Sequence, residues 1–164
     1  LTLKGDEDAE VLAEKLAYTS AISAFEAFLW ETVEYWIDND ESALRDLVTR
    51  WPELKDQPLT LGKLFRTHDD LKKIVKGKLQ NVVWHRKKKV TQILEALWIS
   101  PPNLDELDEA LQKRHDIAHR SGYNKDSEAI FIAPGEVESL CNKIESIAQD
   151  IDSQFRGRRQ EKSP

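Results

Sequence analysis

Between Asp6 and Ile37 apolar side chains recur at Leu12, Leu16, Ile22, Phe25, Leu29, Val33 and Trp36, in steps of three, four or six. That spacing is one face of an α-helix. At 1.5 Å per residue such a helix is about 45 Å long, and it commits the chain to a fold built by helix packing. Asp38-Asn39-Asp40 supplies turn formers that end it.

The rest of the chain reads the same way. Ser42 to Trp51 forms a short helix stopped by Pro52, and residues 52 to 60, with Pro52 and Pro58, form a connection. Thr67, with Asp70 three residues on, is an N-cap candidate for a helix reaching Trp98. Gly77 marks a possible break or kink in it, and Pro101-Pro102 end it. Asn103 with Glu106 signals the next start, and Ser121-Gly122 the next stop, with Gly as a left-handed cap. Residues 123 to 133 form a loop with a short extended piece, Ile130-Phe131-Ile132. A last helix from near Pro134 carries Val137, Leu140, Cys141, Ile144, Ala148, Ile151 and Phe155 on one stripe, with Cys141 expected as a small buried hydrophobe. The tail Arg156 to Pro164 is expected to fray. No internal repeat interrupts this pattern. The expected architecture is all-α: a bundle of four main helices plus a short one, with a short extended loop before the last helix.

At 164 residues the chain suits one domain, residues 1–164 with a core from about 8 to 155. No run approaches the 18 apolar residues of a membrane span, and the N-terminus has no signal-peptide core. The one cysteine allows no internal disulfide and no Cys-x-x-Cys zinc site. A cytoplasmic protein without membrane contact is the economical reading. The chain starts at Leu1 and contains no methionine, which reads as a domain of a longer protein.

The net charge of −6 argues at first against a nucleic-acid partner. Its distribution argues otherwise. Residues 63 to 89 hold Lys63, Arg66, Lys72, Lys73, Lys76, Lys78, Arg86, Lys87, Lys88 and Lys89 against Asp69 and Asp70. That segment is +8, so a total of −6 leaves −14 on the remainder. Steering depends on local potential, and a polyanion such as RNA could track this helix through salt-sensitive phosphate contacts. The plain alternative is a solvated helix face or a surface that docks a protein.

The most informative segment is Lys113-Arg114-His115-Asp116-Ile117-Ala118-His119-Arg120-Ser121-Gly122. Histidine exchanges a proton near neutral pH, and arginine grips phosphate with a planar fork. RNA cleavage by its own 2′-hydroxyl needs both: a base, an acid for the leaving 5′-oxygen, and a cation for the crowded phosphorane. No metal or cofactor is required in principle. Five residues turn an ideal helix by about 500°, leaving Arg114 and His119 roughly 140° apart. They cannot converge on one helix face unless the helix distorts or a second copy completes the site. His115 and His119, four apart, do share a face, and Asp116 can reach Arg120 or His119. Two plain explanations compete: a His-x-x-x-His metal pair, which here lacks the Glu of the zinc-protease motif, and basic residues favoured at a helix C-terminus.

Arg114, the polar His115 directly after it, and His119 after four intervening residues resemble the signature of HEPN domains. The wider run Arg-His-Asp-Ile-Ala-His-Arg-Ser-Gly at the end of a penultimate helix is similar to that pattern too. The resemblance implies a compact α-helical domain that dimerises, with two motifs facing one composite cleft. It implies a metal-independent endoribonuclease of toxin–antitoxin, abortive-infection or other anti-phage systems. Arg114 would stabilise the scissile phosphate, His119 would serve in acid–base or positioning work, and His115 would support them. The products would be a 2′,3′-cyclic phosphate and a 5′-hydroxyl. Lys72, Lys73, Lys76, Lys78, Arg86, Lys87, Lys88, Lys89 and Arg120 would then hold RNA, tRNA among the candidates. A regulatory domain or partner of the parent system is also implied. In members paired with nucleotidyltransferase antitoxins a Tyr stands two residues after the motif His. Here that position is Ser121, which puts that partner in doubt.

Other residues read as structural first. Trp30 and Trp36 are expected in the core or a dimer contact, and Trp84 in the core, with stacking on RNA as the alternative. His68 and His85 read as ordinary. Glu26 or Glu31 could turn inward and pair with Arg114. Two further readings compete with the nuclease: a HEPN-like dimerisation module that binds RNA or a ligand without cutting, and a helical dimerisation domain whose histidines only cap a helix.

Overall fold

A computed structural model describes residues 3–57 and 68–160, with side chains placed for residues 9–57 and 70–158. Thr67, Lys63 and Arg66, and the side chains of His68 and Asp69, lie outside the described residues. The structure is all-helical among them: α1 (Leu3–Asn39), α2 (Glu41–Arg50), α3 (Pro52–Lys55), α4 (His68–Leu79), α5 (Lys87–Ala96), a 3₁₀ turn (Leu104–Leu107), α6 (Asp108–His119) and α7 (Glu136–Gln160). The all-α class expected from the sequence is borne out among the described residues.

The chain divides into two compact units. One comprises Leu1–Ala27 and Asn103–Gln149, the other Phe28–Pro102 and Asp150–Pro164. They are called the motif unit and the basic unit below.

In the basic unit α1 ends at Asn39, and Asp40 caps α2 by accepting from the Ser42 N–H at 2.8 Å. Pro52, expected to stop this helix, also opens α3, where its missing N–H costs nothing. The single helix expected from Thr67 to Trp98 is two. The break is not at Gly77, which lies inside α4, but across residues 80–86. There the Asn81 amide donates to the Gly77 carbonyl at 2.7 Å, satisfying a terminal acceptor of α4. Trp84 turns inward, its ring edge-on to Trp30 with centroids 6.2 Å apart. That ring lies in the break between the two helices. Leu29, Val33, Trp36, Leu44, Leu47, Trp51, Ile93, Leu94 and Phe155 are buried here, and Trp36 stacks on Phe155 at 5.6 Å.

The tail expected to fray stays helical to Gln160, because Arg158 is buried and occupied. It donates to the Leu97 carbonyl, to Asp46 at 2.6 Å, to Ser42 Oγ at 3.2 Å and to Asp40 at 3.4 Å. Burial alone would raise the Asp40 carboxyl. Hydrogen bonds from Ser42 and Arg158 outweigh it and hold the group below its ordinary value.

In the motif unit Tyr18, Ile22, Phe25, Leu104, Leu107, Ala110, Ile132, Leu140 and Ile147 are buried. Asn103 caps the 3₁₀ turn by accepting from the Asp105 N–H at 3.2 Å. Cys141, expected on the buried stripe, is exposed. One residue is about 100° of rotation, so it sits on the flank while Leu140 takes the buried position. Leu12 and Leu16, on the apolar stripe of α1, are also exposed, at 58% and 57%. The piece expected as extended, residues 130–132, is irregular, and pairing in this loop is a single bridge between Tyr123 and Ala129.

Candidate functional site

α6 stays regular through His119, so the roughly 140° between Arg114 and His119 on an ideal helix is not removed by a distortion. His115 and His119 do meet: their ring centroids are 5.0 Å apart and both residues are exposed, while Arg114 is half-buried. Asp116, between them, is buried at 3% exposure. Its carboxylate accepts from Arg120 Nη1 at 3.0 Å and Gln112 Nε2 at 3.0 Å. Asp116 thus takes Arg120 rather than His119 as its charged partner, and half-exposed Arg120 is held beside the two histidines in sequence.

The helix stops where the sequence places the stop. Asp116 O accepts the N–H groups of Arg120 at 3.0 Å and Gly122 at 3.1 Å. Ser121 and Gly122 both take left-handed backbone, with φ of 56° and 84°. Gly122 is favoured by its backbone, because a side chain there would be strained at that φ; the Lys15 ammonium packs against this turn. The loop that follows is fixed by Asn124, whose side-chain oxygen accepts from the Asp126 and Glu128 N–H groups, both at 2.9 Å.

Directly before Arg114 stands a network that joins three separate segments. Lys113 donates to Glu136 at 2.5 Å and lies 3.5 Å from Glu109. The second Glu136 oxygen accepts from the Ala133 N–H at 2.9 Å, and Tyr18 hydrogen-bonds to the same carboxylate. Burial would lower the Lys113 ammonium, but the bond and charge of Glu136, with Glu109, hold it above the usual lysine range. Burial would raise Glu136, but Lys113 and the Ala133 N–H hold it below the usual glutamate range. Burial first, then the charges of Glu136 and Glu109, push the Tyr18 phenol well above its ordinary value. The network ties α1 and the start of α7 to the residue before Arg114. Lys113 and Glu136 are 23 positions apart, so no helical spacing announces them. Lys15 was missed for the same reason.

The expected RNA-holding cations fall in the basic unit, apart from Arg120. Some are already engaged. Lys76 bonds Asp38 at 2.6 Å and lies 3.3 Å from Glu34, Lys72 donates to the Asp38 carbonyl at 3.0 Å, and Lys89 pairs with Glu53. The Asp38 bond, with support from Glu34, raises Lys76 above its ordinary value. Lys73, Lys78, Arg86 and Lys88 are exposed, and Lys87 is half-buried. Trp84 is a core ring and not a surface platform. Glu26 is half-buried, and Glu31 lines a hollow of about 670 Å³ in the basic unit with Phe28, Tyr35 and Arg156. Among the described residues no three His, Cys, Asp or Glu side chains gather as a metal-holding group. No helix among them is long and apolar enough to cross a membrane.

An all-helical chain whose penultimate helix closes on Arg-x-x-x-x-His, ahead of a looped start to the last helix, has the organisation of a HEPN domain. The family comparison is more specific. The chain belongs to the RiboL-PSP-HEPN family, whose model matches residues 3–157. No curated protein and no solved structure matches it. Family membership associates the chain with ribonuclease-like or nucleotide-related function in general.

Proposed function

We propose that this chain is a metal-independent endoribonuclease whose site is completed by a second copy, with a role in bacterial toxin or anti-phage defence. The observation that carries the reading is the regular end of α6. It presents two adjacent exposed imidazoles, His115 and His119, while Arg114 projects from another side of the same helix. One copy therefore supplies proton-transfer groups and a phosphate-binding cation that do not converge, and a partner motif facing it would supply the missing half. The exposed Val11, Leu12 and Leu16 of the motif unit give a second copy apolar surface to cover.

In this reading the RNA 2′-hydroxyl attacks the adjacent phosphorus. An imidazole takes the hydroxyl proton, and the leaving 5′-oxygen receives one. His119 does acid–base or positioning work with His115 in support, and Arg114 compensates the charge of the phosphorane. Arg120, held by Asp116, binds a flanking phosphate, and the exposed lysines of α4 and α5 bind RNA phosphates in the basic unit. The bond that breaks is P–O5′, leaving a 2′,3′-cyclic phosphate and a 5′-hydroxyl.

The test is incubation of the purified chain with total RNA and with tRNA. Cleavage should leave cyclic-phosphate ends, persist in EDTA, and fall by about 10² to 10⁴ in Arg114→Ala and in His119→Ala with the fold unchanged. Cleavage that survives both substitutions would sink the proposal. Salt-sensitive RNA binding without turnover would instead favour the non-cutting binding module.

A further inference from the structure

We infer that Trp98, backed by Arg50, is a stacking platform for an unpaired RNA base, a site separate in sequence from the motif. The inference rests on the reading of the chain as an RNA-cleaving protein, and it assigns where the strand is held in the basic unit.

Trp98 stands at a helix stop where glycine is usual. After α5 ends at Ala96, the Ile99 N–H bonds the Leu94 carbonyl at 2.9 Å and the Trp98 N–H bonds the Glu95 carbonyl at 3.1 Å. This pair of bonds is the Schellman stop, in which the residue directly after the helix cap takes left-handed backbone and is usually glycine. Trp98 occupies that position with φ of 61°. A bulky side chain there is strained, and such strain is found preferentially at functional sites. The strain is not repaid by core packing, since Trp98 is 66% exposed.

What the ring does hold is Arg50. The guanidinium carbon sits 3.4 Å from the ring centroid, covering one face. Nη1 of Arg50 is buried with no hydrogen-bond partner among the described residues, so the ring is a principal contact of this end of the cation. The result is a fixed aromatic plane with a positive charge behind it and its exposed area toward solvent. A flat nucleobase can stack on such a plane, and the charge favours the phosphates that accompany it. Lys73, Lys78, Arg86 and Lys88 are exposed in the same unit, which a nucleic acid exploits and an apolar protein segment does not. Glu95 and Ser100, near Trp98 in the chain, are exposed polar residues. The base must be unpaired, because duplex bases keep their faces covered.

The experiment measures fluorescence anisotropy of a short end-labelled oligoadenylate, with His119→Ala in every protein so that nothing is cut. The comparison strands are an abasic version of the oligomer and a duplex RNA. Trp98→Gly keeps the backbone in the conformation glycine favours, so the fold survives. It should weaken oligoadenylate binding by about ten-fold, while Trp98→Phe weakens it by less, about three-fold. Arg50→Ala should fall between the two. Binding of the abasic strand and the duplex should not change with Trp98→Gly. Unchanged oligoadenylate affinity in Trp98→Gly, or an equal loss on all three strands, overturns the inference while leaving the ribonuclease reading standing. Unchanged affinity together with reduced self-association identifies Trp98 as a protein contact and overturns it as well. If the His119→Ala protein binds none of the three strands, the inference falls, and the ribonuclease reading is decided by the cleavage test alone.

Discussion

The basic unit buries the rings of Trp36, Trp51, Trp84 and Phe155, and it closes a buried arginine on two carboxylates and a carbonyl. The motif unit buries Tyr18 and Phe25 and leaves Val11, Leu12, Leu16, Tyr123 and Phe131 exposed. Its buried charge, Asp116, sits inside the candidate catalytic segment. In one unit buried polar groups serve the fold. In the other the buried carboxylate holds Arg120 of the candidate site, and Val11, Leu12 and Leu16 of α1 stay exposed. The contrast separates substitutions that should cost stability from those that should cost activity.

The largest stability effect should come from Arg158→Ala in the basic unit. It leaves the partly buried carboxylates of Asp40 and Asp46 without their shared cation and the Leu97 carbonyl without its donor. Breaking a buried charge cluster by removing one member costs about 3 to 5 kcal/mol. Urea denaturation should report that loss. Cleavage measured well below the unfolding midpoint should stay within a few-fold of the parent. A loss under 1 kcal/mol, by the same principle, would mean the cluster contributes little net stability.

Asp116→Ala probes the other unit. Arg120 and Gln112 lose their shared acceptor, at a cost of about 1 to 3 kcal/mol. The informative readout is activity relative to stability. Asp116→Asn keeps an acceptor for Arg120 and should recover part of the cleavage lost in Asp116→Ala. Equal activity of the two variants would reduce Asp116 to a fold residue and weaken the contrast.

Leu12→Glu with Leu16→Glu tests the surplus apolar surface. Full burial of a leucine is worth about 1.5 to 3 kcal/mol, and these two are more than half exposed in one copy. The pair should shift the chain from dimer to monomer in sedimentation at micromolar concentration and lower cleavage in parallel, with little change in monomer stability. A dimer that persists would place the partner elsewhere.

Much of this division was legible in the sequence, and the rest was hidden for definable reasons. The stripe from Ile22 to Trp36 predicted a helix and its buried face, and residues 25 to 36 along it are buried as expected. The same stripe could not say whether a neighbour covers Leu12 and Leu16, because periodicity marks a face and not its partner. Asp116 and Arg120 were legible as an i, i+4 pair. The break after Leu79 was not, and Trp84 within it meets Trp30 across more than fifty positions. Arg158 looked like tail for the same reason: its acids lie at Asp40 and Asp46. At the site, Arg114, His115 and His119 stood out by type and spacing. Lys113, Glu136, Tyr18 and Lys15 come from separate segments that only the fold assembles.

The smallest effect, and the one most specific to the motif unit, is the pH response of that network. The folded state holds Glu136 below the ordinary glutamate value near 4.5, so its contribution is present above that value and is lost as pH falls through the lower folded one. Lys113 is held above 10.5 and Tyr18 above 10.0, so their contributions are present below those values and are lost as pH rises through the folded ones. Glu136→Gln removes the charge common to all three groups while keeping a hydrogen-bond acceptor. At neutral pH the loss should be modest, about 1 kcal/mol, because the variant's amide oxygen still accepts from Lys113 and Glu109 stays 3.5 Å from the ammonium. The gap between variant and parent should then close as pH falls from about 4.5 through the lower folded value, where the parent's own carboxylate takes a proton. It should close again above the lysine range, where the parent loses its ammonium. Urea midpoints at acid, neutral and alkaline pH give the comparison. Parallel curves would mean that the network positions Arg114 through packing alone, and a Glu136→Gln variant with full stability but reduced cleavage would locate its value in the site instead of the fold.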